Sequence, residues 1–202
     1  LMGNPLAVAG QAAANQIFSS VFWLTSFLPS ITATLISRAH ASGDQEGVQN
    51  AVSQALWVGL ILSTLSSVAM LCLPETILSS VMPAGAPALA YARPYLFIRA
   101  FAFLPSMVSL VGFSAFRGIL DTLTPVKISG FANVFNAILD PILIFSLNMG
   151  VTGAALATLA AEVISAIIYL RLLTKRGMLQ MSKLLRVPKN LQSLLKGGAA
   201  LQ

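Results

Sequence analysis

The sequence predicts an all-α, polytopic membrane helix bundle with about five transmembrane helices. Hydrophobic residues make up 56% of the 202 residues, and charged residues make up only 9%. Soluble domains carry about 25% charged residues, enough to cover a surface that faces water. The low charge excludes an ordinary cytosolic domain and a disordered tail, and long uncharged runs predict helices that cross a bilayer.

Five segments are long and apolar enough to be these spans. Each one can cross about 30 Å of hydrocarbon at about 1.5 Å per helical residue. Backbone polar groups in lipid must be satisfied within the protein, and the segments lack the alternating polarity of barrel strands, so we expect helices. The predicted spans are residues 12–37, 47–74, 95–117, 126–147 and 151–173.

Prolines and polar turns mark the helix boundaries. Pro29 and Pro105 fall inside predicted spans, where we expect them to kink the helix. The polar run 42–46 predicts a hairpin before the second span. Thr124 followed by Pro125 predicts the N-cap and the first helical residue of the fourth span.

Basic residues are concentrated at the end of the chain. Seven of the 12 Lys and Arg residues lie at or after Arg171, and no acidic residue follows that position. A basic segment directly after an apolar span is typical of a cytoplasmic juxtamembrane region. This orientation leaves only Arg93 and Arg99 near the opposite face, as the positive-inside rule requires. Nucleic-acid binding is disfavoured, because no base-stacking aromatic residues accompany the charges.

The domain organisation predicted from this pattern has two parts. We expect residues 1–175 to form one transmembrane bundle and residues 176–202 to form a basic cytoplasmic linker that leads to another helix. The chain starts without Met, in a stretch that resembles a loop, so we expect it to be part of a longer protein. The single Cys72 excludes an internal disulfide, and the single His40 makes neither a metal site nor a catalytic dyad. We therefore predict no enzymatic activity, no metal and no cofactor.

Asp140 is the main candidate functional residue, because an ionisable group in the middle of a span is costly. Asn133 and Asn136 lie seven and four residues before it, which places two amides and a carboxylate on one helix face. Pro141 follows and frees a backbone carbonyl at the same depth. Such oxygen ligands suit Na⁺, and a carboxyl group in apolar surroundings suits reversible proton binding. The alternative is that the asparagines only hold helices together and Asp140 pairs with a basic residue.

A second acidic residue, Glu162, lies inside the fifth predicted span, with Thr158 one turn before it on the same face. Small residues on this helix allow close packing, so Thr158 can present its hydroxyl to the Asp140 face. For Glu162, pairing with an arginine or a hydroxyl is favoured over a direct role in transport. Arg99 is predicted to extend to the membrane interface rather than to pair with a buried carboxylate.

Two further groups of residues have simpler interpretations. Arg117 and Asp121 are four residues apart and predict a salt-bridged turn that fixes helix ends. The first span carries a polar stripe that either lines a solute cavity or holds helices together, and spacing does not decide between these roles. The stripe consists of Gln11, Asn15 and Ser19.

Three runs in order resemble the multidrug and toxic compound extrusion (MATE) transporters, most closely their DinF-like branch. They are FRGILDTLTP (116–125), NVFNAILDPILIF (133–145) and MGVTGAALAT (149–158). The resemblance implies two six-helix lobes, with this chain supplying helices two to six of the N-terminal lobe and lacking the first. It also implies a cation site formed by Asp140, Asn136 and Thr158, together with an aspartate on the first helix.

The leading functional hypothesis is a cation-coupled antiporter that works by alternating access. The resemblance implies export of organic, often cationic or amphipathic, solutes in exchange for H⁺ or Na⁺. The expected partners are the solute, the lipid bilayer and the C-terminal lobe of the same protein. A lipid-linked sugar or lipid flippase of the same superfamily is the alternative, which the neutral stripe on the first span disfavours. A membrane-embedded enzyme is disfavoured because the spans lack paired aspartates or a Ser-His pair, and a non-transporting membrane subunit stays open.

Overall fold

The computed structural model describes residues 4–180 as a bundle of seven α-helices and one π-helical turn. Four long apolar segments can each span a membrane, and two consecutive helices, bent by 41° relative to each other, together make a fifth span. The prediction of an all-α bundle with about five spans is thus confirmed. The elements are α1 (Pro5–Trp23), α2 (Phe27–Ala41), α3 (Gln45–Cys72), α4 (Pro74–Ser79), α5 (Leu89–Gly118), α6 (Leu123–Pro141), the π-helical turn (Ile142–Ser146) and α7 (Gly150–Lys175).

The first span is longer than predicted and is broken. It starts at Pro5 rather than at residue 12, because the Asn4 side chain accepts hydrogen bonds from the N–H groups of Leu6 and Ala7 and caps the helix. The break lies just before α2, so Pro29 falls in the first turn of α2, where a missing N–H removes no helical hydrogen bond. Pro105, by contrast, lies within α5, which stays a single helix.

The central helix of the bundle is α5, which packs against α1, α2, α3 and α7. Tyr95, Phe103 and Phe116 are buried along its length. Two apolar clusters stack along this helix: Phe103 belongs to the one that includes α1 and the start of α7, and Phe116 belongs to the one that includes α2 and the end of α7. Side chains on α5 can therefore contact both α1 and α7.

Helix α6 lies on the outside of the bundle. Only Pro125 and Ile128 are buried in it, and its main contacts are with α7 and the π-helical turn. The close approach of α7 depends on Gly153, because a Cβ atom there would lie 2.8 Å from the Leu143 carbonyl oxygen. The backbone of the π-helical turn therefore packs directly on α7.

The turn between α5 and α6 is held by Asp121. Its carboxylate accepts hydrogen bonds from the Thr124 backbone N–H (3.0 Å) and hydroxyl (2.7 Å), and Arg176 approaches to 3.4 Å. The predicted Arg117–Asp121 bridge is wrong, because the Arg117 guanidinium lies 5.6 Å from the Phe113 ring centroid instead. The predicted helix start at Pro125 is also wrong: α6 begins two residues earlier, with Thr122 as its N-cap, and Asp121 accepts the N–H of Thr124 in its first turn.

The start of the predicted linker is attached to the bundle. The Gly177 carbonyl accepts hydrogen bonds from the side-chain amides of Gln45 (2.9 Å) and Gln49 (2.8 Å) on α3. Residues 181–202, which make up most of the predicted linker 176–202, lie outside the described residues.

Replacing Gly153 with alanine is expected to destabilise the bundle by about 1–3 kcal/mol, because the new methyl group meets backbone atoms that cannot rotate away. Gly130→Ala on α6 is the matched control, since a Cβ there meets nothing within 4 Å. Thermal unfolding of the full-length protein in detergent measures both. Equal melting temperatures for the two variants would contradict the close packing of α7 on the π-helical turn.

The Asp121 turn is expected to weaken in acid. Hydrogen bonds from Thr124, and then the charge of Arg176, hold the pKa of the Asp121 carboxyl below its ordinary value. A carboxyl group with a lowered pKa in the folded state stabilises the fold above its unfolded pKa, and this contribution is lost as the pH falls through the folded pKa.

Between about pH 5 and pH 3, we therefore expect the melting temperature to fall more steeply for the wild type than for Asp121→Asn, whose amide does not titrate. Thermal unfolding across this pH range provides the measurement. Parallel curves of melting temperature against pH for the two proteins would show that Asp121 does not contribute to the loss of stability in acid.

Candidate functional site

A cavity of about 420 Å³ opens between α1, α5, α6 and α7. Its wall combines aromatic rings with small polar groups, which is the usual composition of a site for organic molecules. The aromatic residues are Phe18, Phe22, Phe113 and Tyr169; the hydroxyl residues are Ser106, Ser109, Ser129, Thr158 and Ser165; and Asn133, Asn136 and Glu162 complete the polar part.

Four residues singled out in the sequence lie on this wall: Asn133 and Asn136 from α6, and Thr158 and Glu162 from α7. Asp140 lies one helical turn beyond Asn136 on α6, outside the wall, and is partly buried. The structure therefore brings the predicted asparagines, threonine and glutamate to one cavity and places Asp140 next to it along the helix.

Two polar atoms on α6 are buried without a hydrogen-bond partner in the described part of the chain. They are Oδ1 of Asp140 and Nδ2 of Asn136. Leaving such a group unsatisfied costs about 1–3 kcal/mol, more for a charged group, so proteins rarely do this without a functional reason. The two atoms belong to side chains on successive turns of the same helix face.

The backbone changes conformation immediately after Asp140. Pro141 ends α6, and residues Ile142–Ser146 continue as a π-helical turn. Proline has no N–H to bond to the carbonyl four residues earlier, and π-helical turns are often found at functional sites. The sequence prediction that Pro141 weakens the helical hydrogen bonding at this depth agrees with the observed turn.

Thr158 presents an oxygen that can still accept a bond. Its hydroxyl donates to the Ala154 carbonyl at 3.0 Å within α7. A hydroxyl oxygen has two lone pairs, so this donation leaves them free for a ligand.

Glu162 is held by partners on both sides. Its Oε1 accepts from Arg99 Nη1 at 2.9 Å, and its Oε2 accepts from the Ser106 hydroxyl at 2.7 Å. Arg99 is only 6% exposed, and its guanidinium carbon lies 3.7 Å from the centroid of the Phe18 ring. The prediction that Arg99 extends to the membrane interface is wrong, because Glu162 on α7 and the Phe18 ring on α1 both contact its guanidinium inside the bundle.

The polar stripe on α1 contacts Tyr95 on α5 rather than the cavity. The Tyr95 hydroxyl donates to Asn15 Oδ1 at 3.2 Å, with Gln11 close enough to take part and Asp140 among the nearby charges. Ser19, the third predicted member, is exposed. Gln11, Asn15 and Ser19 do not line the 420 Å³ cavity in the described structure.

Sequence reasoning missed Ser106, which lines the cavity, and Tyr95, which bonds to the polar stripe on α1. Both lie on the face of α5 that also carries Arg99: Tyr95 is four residues before Arg99, and Ser106 is seven residues after it. A helix face that repeats polar residues at these intervals inside an apolar span is a detectable signal. It was obscured because the hydroxyl of Ser106 resembles the many packing serines of the chain.

Comparisons with known proteins agree with this architecture. The MatE family model matches residues 2–142. Protein DETOXIFICATION 44, chloroplastic, from Arabidopsis thaliana is 32% identical over 171 residues, covering 85% of this chain and 29% of that protein. DNA damage-inducible protein F from Escherichia coli (strain K12) is 30% identical over 175 residues, covering 86% of this chain and 38% of that protein.

A solved structure of MATE in the bent conformation superposes with a TM-score of 0.87 at 26% identity, covering 97% of this chain and 44% of that one. The chain thus spans less than half the length of these relatives. MATE proteins are transporters rather than enzymes, and they are integral, multi-pass membrane proteins with two lobes. With residues 2–142 matched by the family model, the chain belongs to the MatE family and forms part of an N-terminal lobe.

Proposed function

We propose that this chain belongs to a cation-coupled antiporter that exports organic solutes by alternating access. Asp140, Asn136 and Thr158 hold the coupling ion, H⁺ or Na⁺. Asn133 and Glu162 support the site from the cavity wall, Asn133 as a second amide on α6 and Glu162 as a fixed ion pair with Arg99 that does not itself bind the ion. The observation that favours this role is the pair of buried, unpartnered atoms on Asp140 and Asn136. A carboxylate oxygen with no partner inside an apolar span is satisfied when it gains a proton or a small hard cation.

The remaining ligands have suitable chemistry. Rotation of the Asn136 amide exchanges its nitrogen and oxygen, so the same buried position can present an oxygen acceptor. Thr158 has free lone pairs on the facing helix. Carboxylate, amide and hydroxyl oxygens together fit Na⁺, while Asp140 alone suffices for H⁺.

Coupling between ion and solute follows from shared residues. Asn136 and Thr158 line the cavity proposed to hold the solute. An ion that draws these side chains towards Asp140 changes the wall that the solute contacts. An ion drives a conformational change only when the two states bind it differently, and the π-helical turn after Pro141 provides a place where the helix can change.

The partners and boundaries proposed from the sequence fit the same scheme. The organic solute, the surrounding lipid and a C-terminal lobe of the same protein complete the transporter. In this scheme residues 1–175 are helices two to six of the N-terminal lobe, and residues 176–202 are the basic linker. Asn15 accepts a hydrogen bond from Tyr95, and lining of the central cleft by Gln11, Asn15 and Ser19 stays a prediction.

Asp140→Asn in the full-length protein is expected to abolish ion-driven solute export while leaving the fold intact, because the isosteric amide has no negative charge to balance Na⁺ and cannot bind or release a proton. Efflux of a fluorescent solute from proteoliposomes, driven separately by a pH gradient and by a Na⁺ gradient, gives the measurement and identifies the ion.

Asp44→Asn is the matched control. Asp44 caps α3 from an exposed turn, and asparagine is an equally good N-cap, so this variant should transport normally. Wild-type rates in Asp140→Asn under both gradients would exclude Asp140 as the coupling site.

A further inference from the structure

The cavity wall contains one charged residue among the described lining residues, Glu162. Arg99 and Asp140 lie nearby but do not line the cavity in the described part of the chain. The charge that a solute meets on this wall therefore depends on how Glu162 is compensated.

Both oxygens of Glu162 already accept hydrogen bonds, from Arg99 and from Ser106. The Glu162 side chain is 24% exposed, whereas the Arg99 side chain is only 7% exposed. The negative partner thus reaches the cavity, and the positive partner neutralises it from inside the protein. A cationic solute that approached Glu162 would have to compete with a buried guanidinium for the same carboxylate.

Phe18 separates the positive partner from the cavity. Its ring lines the cavity and also lies under the Arg99 guanidinium, 3.7 Å from ring centroid to guanidinium carbon. An aromatic face stabilises a cation in this position without exposing it. An anionic solute is therefore kept away from Arg99, just as a cationic solute is kept from free negative charge.

The uncharged part of the wall favours a different ligand. Phe18, Phe22, Phe113 and Tyr169 offer ring surfaces for stacking. Hydroxyl and amide side chains on the same wall add hydrogen-bonding groups. An aromatic surface with such groups fits a neutral molecule that has both rings and polar groups.

Resting on the proposed transport function, we infer that the Arg99–Glu162 pair sets the charge selectivity of this cavity, which takes uncharged aromatic solutes with hydrogen-bonding groups in preference to organic cations or anions. Arg99 and Glu162 act as specificity-determining residues. Because their charges cancel, a charged solute loses its hydration on entry without gaining an opposite charge.

Changing either partner alone should shift the preference in opposite directions. Arg99→Gln leaves Glu162 uncompensated and should favour cations. Glu162→Gln leaves Arg99 uncompensated and should favour anions. The double variant Arg99→Gln/Glu162→Gln removes both charges and should restore the preference for neutral solutes. A purely structural role for the pair predicts a loss of binding for all solutes instead.

The test uses three dyes with the same xanthene ring system: a cationic rhodamine ester, a neutral rhodol ester and anionic fluorescein. Fluorescence anisotropy measures their binding to full-length protein in detergent, without any ion gradient. Each single variant should change the cation-to-anion affinity ratio by about tenfold or more, as expected for one uncompensated charge a few ångströms from the ligand. Of the three dyes, the neutral one should have the highest affinity for the wild type and for the double variant.

Glu75→Gln is the matched control, because Glu75 and Arg93 form an exposed ion pair (2.7 Å) away from this cavity. It should leave every affinity unchanged. If a single variant does not fold, the other single variant and the double variant still test the inference. Unchanged cation-to-anion ratios in the folded variants, or tightest wild-type binding of the cationic dye, would overturn it.

Efflux by the same proteins separates this inference from the proposed function. Ion-driven efflux with unaltered charge preference in the variants would overturn the selectivity role and leave antiport standing. The expected shifts in dye binding, together with no ion-driven efflux by the wild type, would support the selectivity role and overturn antiport.

Discussion

A carboxylate inside an apolar helix bundle must either be paired or give up its charge, and this requirement organises the interior of the lobe. Glu162 is paired: Arg99 and Ser106 from α5 occupy its two oxygens. Asp140 has no such arrangement, since its Oδ1 is buried without a partner in the described part of the chain. Two acidic residues on neighbouring helices thus meet the same cost in opposite ways. The paired carboxylate is suited to hold a fixed charge pattern, and the unpaired one is suited to bind and release an ion.

The packing of the helices reflects this division. Helix α5 lies at the centre, packs mainly against α1, α2, α3 and α7, and carries the fixed Arg99 and Ser106. Helix α6 carries Asn136 and Asp140, lies on the outside and has only two buried residues. Elements with few buried contacts open and shift at the lowest free energy. Asn136 and Asp140 therefore lie on the membrane span that is least buried in the described bundle, next to a π-helical turn that already departs from regular helical bonding.

Most of the fold, and about half of the site, could be predicted from the sequence. Hydropathy and length predicted the spans, because a lipid environment leaves a chain few alternatives to a helix. Helical spacing placed Asn133 and Asn136 on the face that lines the cavity. The fate of Arg99 could not be predicted, because a snorkelling arginine and a paired one have the same local sequence. Deciding between them requires knowing that Glu162 and Phe18 face α5. The kink predicted at Pro29 is a break about one turn earlier, at Leu24–Ser26, where the sequence has neither glycine nor proline to mark it.

The proposed separation between a fixed pair and a changing carboxylate has a consequence for how such a lobe can work. If Glu162 were both the ion site and the solute contact, every change in ion occupancy would also change which solutes the cavity accepts. With Arg99 holding Glu162 neutralised as a pair, the charge of the wall stays constant while Asp140 gains or loses its ion. Asn136 and Thr158 then connect the two, because they line the cavity and also belong to the proposed ion site. Uncharged polar side chains suit this connecting role, since they can turn between ion and solute without leaving an unpaired charge in the bundle.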